Sequence, residues 1–586
     1  MPKNRFMRWA AAITAVGRES SYPQFTPTIQ AFPFRIPPVG TIILVAVYVS
    51  FVLALEFINN DIPGAQHLQS LGVRAAWLTI AQVPLLILLV GKNNLIGLFT
   101  GISYERLNVL HRWVSRVMLL LATFHLAFQV SGWKEFPGIF ELEWTTDSCI
   151  PTGLSTYVLL IWMNISTLAP FRNFCYEFFV VQHIITFFGF IIAIMWHLPS
   201  TALYSRVYIY IPIGLYLFDR IVRFMIYTYN NLRVSRASLT ALDGECTKIV
   251  LRNPRIKTWR AGAHVLISFP TLGFGQNHPA TIASTPESHD GQIVLMLKSQ
   301  KGFTRRMLAK ANESTSSLLT QGSGKPQGAD SMTRTYAALV DGPYGGQHED
   351  FAAFDSVCLI AGSTGITFIL PILLNLAQRA EMTAGKLPVR RVHLVWCIKE
   401  FTHANWILTE LSSAFLRLRR AGIENEVSFY VTCADTFTTS GGYKECGCQC
   451  DKSLGPCCCI NPDDIAAERS ILASLTGDIN ITSNTSTSCC SEKGKAPMVE
   501  TDALNDASSP SPARTKAAAY SGRPDTKEII ATIMDQANGE TGVAVCGPLG
   551  MSVDVRNAVA SLSDERACYK GSGAEGVYLH VEGFSQ

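Results

Sequence analysis

The sequence predicts a multi-domain membrane protein: a six-helix transmembrane domain, then an antiparallel β-barrel, then an α/β domain. Three observations predict it. Up to about residue 230 the chain is a series of long apolar runs, each near the ~20 residues a helix needs to cross a bilayer. Residues 232–350 hold short alternating runs such as Ala263-His264-Val265-Leu266-Ile267-Ser268-Phe269, separated by Gly, Pro and Asn, the pattern of a small antiparallel barrel. From about residue 354 strands alternate with helices, as in a parallel α/β sheet.

Composition agrees with this division. Charged residues make up 16% of the 586, below the roughly 25% of soluble domains. The net charge of +4 is small for this length and gives no ground for nucleic-acid binding. The first 30 residues are polar and mixed, without the apolar core and small-residue cleavage site of a signal peptide. The first span is therefore expected to serve as the targeting signal. Eight of the 16 cysteines fall between Cys446 and Cys490, and only Cys149 lies in a long loop between spans. A disulfide framework is not expected.

The six spans are expected at roughly 40–58, 74–91, 111–131, 153–169, 177–197 and 204–226. Basic residues set their orientation. Lys3, Arg5, Arg8, Arg18 and Arg35 precede the first span, Lys92 and Arg106 follow the second, and Arg172 follows the fourth. Arg220, Arg223 and Arg233 mark the end of the sixth. The loop after span three instead carries Glu135, Glu141, Glu143 and Asp147 against Lys134. Every basic-rich segment falls on one side, so both termini are expected in the cytosol.

Span three contains His111 and His125, and span five contains His183 and His197. Fourteen residues make about four helical turns less 40°, so each pair lies near one helix face, about 21 Å apart along the axis. Two such helices running in one direction set His111 opposite His183 and His125 opposite His197. Paired imidazoles suit the axial positions of a haem iron, where they favour electron transfer over binding of small ligands. The alternative is four hydrogen-bonded packing residues; a single shared metal ion is excluded by the separation.

His111-Arg112-Trp113-Val114-Ser115-Arg116 resembles the opening of the third span of ferric-chelate reductases and NADPH oxidases. Arg172 with Tyr176-Glu177-Phe178 and His183 resembles their fifth-span signature, and Asp219-Arg220-Ile221-Val222-Arg223 their entry to the flavin domain. The equal fourteen-residue spacing is closer to the ferric reductases. The resemblance spans the chain except residues 1–35 and about 435–525. It implies two b-type haems, with Arg112 and Arg116 facing haem propionates or anchoring at the interface.

His278-Pro279-Ala280-Thr281-Ile282-Ala283-Ser284 resembles the family's flavin motif, with Ala280 where Phe is usual. The resemblance implies His278 near the FAD phosphate, Thr281 at the flavin edge, and Gly302-Phe303-Thr304 presenting N–H groups to the pyrophosphate. Phe584 resembles the aromatic residue that covers the flavin, although the chain ends Phe584-Ser585-Gln586 without the usual Trp. Ser356-Val357-Cys358-Leu359-Ile360-Ala361 reads as a buried strand entering Gly362-Ser363-Thr364-Gly365-Ile366-Thr367. Glycines at such a turn let the backbone approach a pyrophosphate at a helix N-terminus. Together with Val395-Trp396 through Lys399-Glu400 and with Cys546-Gly547-Pro548, it resembles the nucleotide half of ferredoxin-reductase-like enzymes. Cys546 is then beside the nicotinamide, or simply a buried thiol. NADPH in place of NADH is implied by the family alone.

The expected domains are a cytosolic tail (1–35), a bis-haem transmembrane domain (36–230), an FAD-binding barrel (231–350) and an NAD(P)H-binding α/β domain (351–586). The last is interrupted at about 435–525 by a Ser/Thr/Gly/Ala-rich insert holding Cys446, Cys448, Cys450 and Cys457-Cys458-Cys459. That insert is expected to be disordered, with copper or zinc binding as an alternative. The resulting expectation is electron transfer from cytosolic NADPH through FAD and two haems to Fe(III) or Cu(II) chelates, with an iron-uptake permease or oxidase as implied partner. A superoxide-generating NADPH oxidase and a haem-containing sensor or transport subunit stand as alternatives. The expected location is the plasma membrane, with a vacuolar or other endomembrane as the alternative.

Overall fold

The structure, a computed structural model, describes residues 13–29, 32–33, 36–58, 66–93, 95–252, 254–273, 276–321, 334–383, 385–432, 470–476, 515–567 and 576–583. The chain forms two compact units: Thr41–Ile226, and Met1–Gly40 together with Tyr227–Gln586.

The first unit is helical. Its long helices are α1 (Val39–Phe57), α2 (His67–Leu88), α3 (Tyr104–Lys134), α4 (Cys149–Ser166), α5 (Tyr176–His197) and α6 (Val207–Asn231). Among the described residues five segments are long and apolar enough to cross a membrane, lying in α1 to α5. This corrects the expectation of six by composition. The sixth helix is present, but every 18-residue stretch of it contains Asp219, Arg220 and Arg223. Asp219 is 5% exposed and stays buried because it is paired: it accepts from the Asn93 backbone N–H at 2.8 Å and from Asn93 Nδ2 at 3.3 Å, and it ion-pairs with Arg220.

Three helices, α2, α3 and α4, also begin a full turn or more before the expected spans. The Gln66 side chain accepts from Gln69 N–H and extends α2 upstream, satisfying one of the donors a helix start leaves open. α2 is the most enclosed candidate span, with 44% of its apolar window buried, so it has neighbours to support rather than lipid to face. By contrast α1 exposes Ile42, Ile43, Leu44, Val47, Phe51 and Leu55, as a lipid-facing helix does.

In the second unit, β1 (Ser235–Leu242), β2 (Cys246–Arg252), β3 (Ala263–Ser268), β4 (His278–Thr281), β5 (Ile293–Lys298) and β6 (Thr335–Gly345) form an antiparallel sheet. Its order is β4-β3-β6-β1-β2-β5. A bridge between Ile282 and Leu295 joins the two outer strands and closes the barrel. Inward residues such as Leu239, Ile249, Leu251, Val265, Ile267 and Leu295 fill it. Helix α7 (Phe303–Gln321) follows β5.

The remaining strands are β7 (Ser356–Gly362), β8 (Arg391–Ile398), β9 (Glu424–Val431), β10 (Thr515–Ser521), β11 (Thr541–Gly547) and β12 (Val577–Gly583), all parallel, in the order β10-β9-β8-β7-β11-β12. Helices α8 (Ile366–Met382), α9 (Leu408–Arg420), α10 (Thr526–Gln536) and α11 (Leu549–Ala567) complete this layer. Every residue of β7 and β11 is buried, as central parallel strands require. β10 corrects the expected insert: Thr515–Ser521 pairs with Asn425–Val431, and Ile471, Leu472 and Leu475 join the core. Its Ala-rich sequence carries little strand signal. The cysteine run of the insert lies outside the described residues.

Candidate functional site

Helices α3 and α5 place their histidines in pairs. The rings of His125 and His197 lie 6.1 Å apart between centroids, and His183 lies within electrostatic reach of His111. First thus meets first and second meets second, as for helices running in one direction.

Backbone carbonyls fix three of the four rings. His111 Nδ1 is 2.9 Å from Leu86 O, His125 Nδ1 is 2.8 Å from Gly72 O, and His197 Nδ1 is 2.9 Å from Cys149 O. A carbonyl only accepts, so Nδ1 carries the proton and Nε2 keeps its lone pair for a metal. Leu86 and Gly72 are themselves fourteen residues apart on α2, which therefore supports both ligands of α3. A Cβ at Gly72 would sit 3.1 Å from Gln129, and one at Gly153 would sit 2.6 Å from His197 Cε1. Both glycines permit these close approaches.

His183 differs. Its Nδ1 is buried and has no hydrogen-bond partner among the described residues. Trp162 Nε1 donates to Gln182 Oε1 at 2.8 Å, a register that sets Met163 opposite His183. The Met163 carbonyl, fourteen residues after Cys149, instead accepts from Ser166 Oγ at 3.1 Å.

These residues fit a haem iron. Bonds of about 2 Å from metal to each imidazole nitrogen bring two ring centroids to roughly 6 Å apart, the separation seen for His125 and His197. Near the first pair, Arg112 lies within electrostatic reach of both Arg172 and Arg116. No carboxylate pairs with them among the described residues, which leaves room for an anionic group; Arg116 also rests over the Trp113 ring at 4.7 Å.

The barrel brings the expected flavin residues together. The His278 ring on β4 is 5.8 Å from Phe303, so β4 meets the N-terminus of α7. There Gly302 adopts φ +68 with nothing within 4 Å of the position a Cβ would take. The first N–H groups of α7 have no acceptor within the helix. An anion fits this place. Burial pushes the His278 imidazole pKa below its ordinary value. Pro279 is exposed, and Thr281, half-buried, pairs with His264. Thr304 is 5% exposed, and its hydroxyl accepts from Gln300 N–H at 3.0 Å; it holds the turn. Ala280, 3% exposed, points into the barrel core. Phe584 lies outside the described residues.

The nucleotide turns also converge. β7 and β11 are neighbours at the point where strand order reverses, where open α/β sheets bind ligands at their carboxyl ends. A Cβ on Gly365 would lie 2.0 Å from Cys546 O, and one on Gly362 would lie 2.6 Å from Pro548 Cδ. Gly362-Ser363-Thr364-Gly365 and Cys546-Gly547-Pro548 thus touch, backbone against backbone. Ser363 holds φ +52, a strained value for a residue with a side chain, and Trp396 Nε1 donates to its carbonyl at 3.0 Å. Thr367 Oγ1 donates to Thr364 O at 2.9 Å and so supports the turn. Burial, then the nearby Glu582, push the Cys546 thiol pKa up, so it is a neutral thiol.

Sequence reasoning missed the carbonyl anchors of the histidines and the bond by which Trp396 braces the Ser363 carbonyl. It also missed a bridge from barrel to α/β layer: Glu410 on α9 meets Lys248 Nζ at 3.2 Å and His289 Nε2 at 3.0 Å. Burial raises the Glu410 carboxyl, but the hydrogen bond from His289 and the charge of Lys248 outweigh it and hold it at about 2.

Three family profiles match the chain in order. "Ferric reductase like transmembrane component" covers residues 75–194, "FAD-binding domain" covers 231–348, and "Ferric reductase NAD binding domain" covers 354–560. The chain is similar to the "Probable cell surface ferric reductase kap2" of Aspergillus oryzae, 29% identical over 361 residues, covering 58% of this chain and 45% of that protein. It is 26% identical over 437 residues to the Saccharomyces cerevisiae "Ferric/cupric reductase transmembrane component 7", covering 72% and 66%. Against the Candida albicans "Ferric/cupric reductase transmembrane component 1" it is 30% identical over 366 residues, covering 60% and 41%. The chain thus spans between about two fifths and two thirds of the length of these relatives.

Proposed function

This chain belongs to the ferric reductase family, an integral membrane protein with FAD- and NAD(P)H-binding domains, and we propose that it reduces Fe(III) or Cu(II) chelates across the membrane with electrons from NADPH. The observation that carries this reading is the set of paired histidines, three held by carbonyls so that Nε2 is free to coordinate. When bound, NADPH and FAD supply a hydride converted to single electrons, and two b-type haems supply one-electron carriers in series.

The chain's own residues bind and orient. His111 with His183 would hold one haem and His125 with His197 the other, and Arg112, Arg116 and Arg172 would offset negative charge beside the first. His278 and the α7 N-terminus would hold the flavin phosphates, and Pro279 and Thr281 on the same strand would contact the flavin. The turns at Gly362–Gly365 and Cys546–Pro548 hold NADPH, and the neutral Cys546 thiol adds no charge beside the nicotinamide. The bilayer domain is assigned to 36–230, the flavin barrel to 231–350 and the nucleotide domain to 351–586.

Six spans and a cytosolic location for both termini belong to the same proposal. The basic residues support it. A parity argument supports it as well: residues 18–24 bind Glu540, Asn557, Val577 and Leu579 of the nucleotide domain, and segments that meet on one side of a membrane are separated by an even number of spans. On this reading α6 is the sixth, with Asp219 neutralised by its partners. An inside-negative potential then favours outward electron movement by about 2.3 kcal/mol per 100 mV. The "cell surface" of the Aspergillus relative's name supports the plasma membrane as the site of action, and permease or oxidase partners fit this role.

The test is NADPH-driven reduction of an Fe(III) chelate by the purified protein with superoxide dismutase added. Undiminished reduction is expected; complete loss would make the protein an oxidase, and absence of NADPH oxidation with any acceptor would make it a sensor or transport subunit.

A further inference from the structure

Residues 13–19 are helical and the chain continues from them onto the edge of the nucleotide sheet. Arg18 Nη2 meets Glu540 Oε1 at 2.5 Å, just before β11. Glu19, 6% exposed, accepts the Val577 N–H at 2.8 Å. The Tyr22 hydroxyl accepts the Leu579 N–H at 3.0 Å and donates to Val577 O at 3.5 Å. Gln24 and Asn557 of α11 exchange two bonds, N–H to Oδ1 at 2.9 Å and Nδ2 to the carbonyl at 3.1 Å. Tyr22 is part of the core cluster that includes Val577, Leu579, Val555 and Val559. Burial pushes its hydroxyl up to about 12, so it remains a donor and an acceptor together.

β12 is the last strand of its sheet. Alternate N–H groups of such a strand lack a neighbour and invite pairing with another chain unless something covers them. Val577 and Leu579 are two residues apart and point the same way; Glu19 and Tyr22 satisfy them. The same stretch also grips the entry of α1. The Val39 N–H donates to Pro23 O at 2.9 Å and the Gly40 N–H to Ser21 O at 3.0 Å, while Gln24 Nε2 donates to Ile36 O at 2.9 Å. A Cβ on Gly40 would lie 2.6 Å from Ser21 Cβ, so this approach requires a glycine.

We propose that residues 18–24 are a built-in tether that covers the free edge of the nucleotide sheet and ties it to the start of the first span. Glu540, Val577 and Leu579 lie at the amino ends of β11 and β12, opposite the carboxyl ends that carry the glycine turns. The tether therefore leaves the glycine turns uncovered.

Two measurements on the full chain in detergent test this, and neither depends on turnover, so their failure leaves the reductase reading standing. In the first, Gln24→Cys with Asn557→Cys is oxidised and the linked peptides are identified by mass spectrometry. A link within one chain is expected. No link, or a link only between two copies, would overturn the proposal. In the second, amide exchange is followed at residues 577 and 579. Tyr22→Ala is expected to speed both at least tenfold, and Tyr22→Phe, which keeps the buried ring, to speed 579 more than 577, because Glu19 still holds Val577. Unchanged exchange in both variants would overturn the proposal.

Discussion

The membrane bundle and the nucleotide sheet build their candidate sites in opposite ways. In the bundle, side chains face the cofactor position and the backbone supports them: His111, His125 and His197 point inward because carbonyls of Leu86, Gly72 and Cys149 hold their far nitrogens. In the sheet, the backbone faces the ligand position and side chains support it: Gly362 to Gly365 and Cys546 to Pro548 press together, while Trp396 and Thr367 brace the turn. The difference follows from what each ligand needs. An iron takes a nitrogen lone pair, which only a side chain offers in a helix whose backbone is spent on itself. A pyrophosphate takes N–H groups, which the start of a helix offers freely.

This contrast predicts where small substitutions do most harm. The largest effect is expected at Gly365→Ala, where the new Cβ meets the backbone carbonyl of Cys546 and cannot be relieved by a rotamer change. A cost at or above about 3 kcal/mol is expected, the top of the usual overpacking range, with flavin reduction by NADPH slowed at least a hundredfold in stopped-flow absorbance. Next comes Gly153→Ala, whose Cβ meets the ring of His197 and not a backbone atom. A cost of about 2 kcal/mol and an altered electron paramagnetic resonance signal from one haem only are expected.

The Glu410 bridge sharpens the soluble side. Its carboxyl sits lower in the folded chain than the ~4.3 of an unfolded one, so its contribution is complete above that value and is lost as pH falls from there to about 2. That contribution is on the order of 3 kcal/mol. Glu410→Gln should lower the melting temperature of the flavin-loaded protein at pH 7, and the difference from the parent should shrink toward pH 2. The smallest effect is expected at Ser166→Ala. Releasing the Met163 carbonyl offers His183 the anchor its three counterparts have. A hydrogen bond there raises ligand basicity and should lower the potential of the haem at His111 and His183 by an amount equivalent to about 1 kcal/mol, leaving the other haem unchanged in a redox titration.

The histidines were legible in the sequence because a side-chain ligand leaves a letter at a fixed spacing. Their anchors were not, since every residue has a carbonyl; the only trace is glycine inside an apolar helix, at 72 and 153. The barrel and the two glycine turns were legible from alternation and from strand-to-helix punctuation. Strand Thr515–Ser521 was not, because a run of alanines carries no period and adjoined a low-complexity stretch. α6 was anticipated from its apolar ends, while the reason Asp219 can be buried there rests on Asn93 and Arg220, and Asn93 is remote in sequence. The docking of Glu19 and Tyr22 left no signal at all, because isolated contacts between distant segments have no periodicity.

The central claim is that two histidine pairs each hold one haem, and it is tested most directly by haem content per polypeptide in the purified chain and in its single histidine variants. The account predicts two haems in the parent, with the same haem lost on changing His125 or His197 to Ala and the other lost on changing His111. A colourless parent, or full haem content after these substitutions, would contradict it.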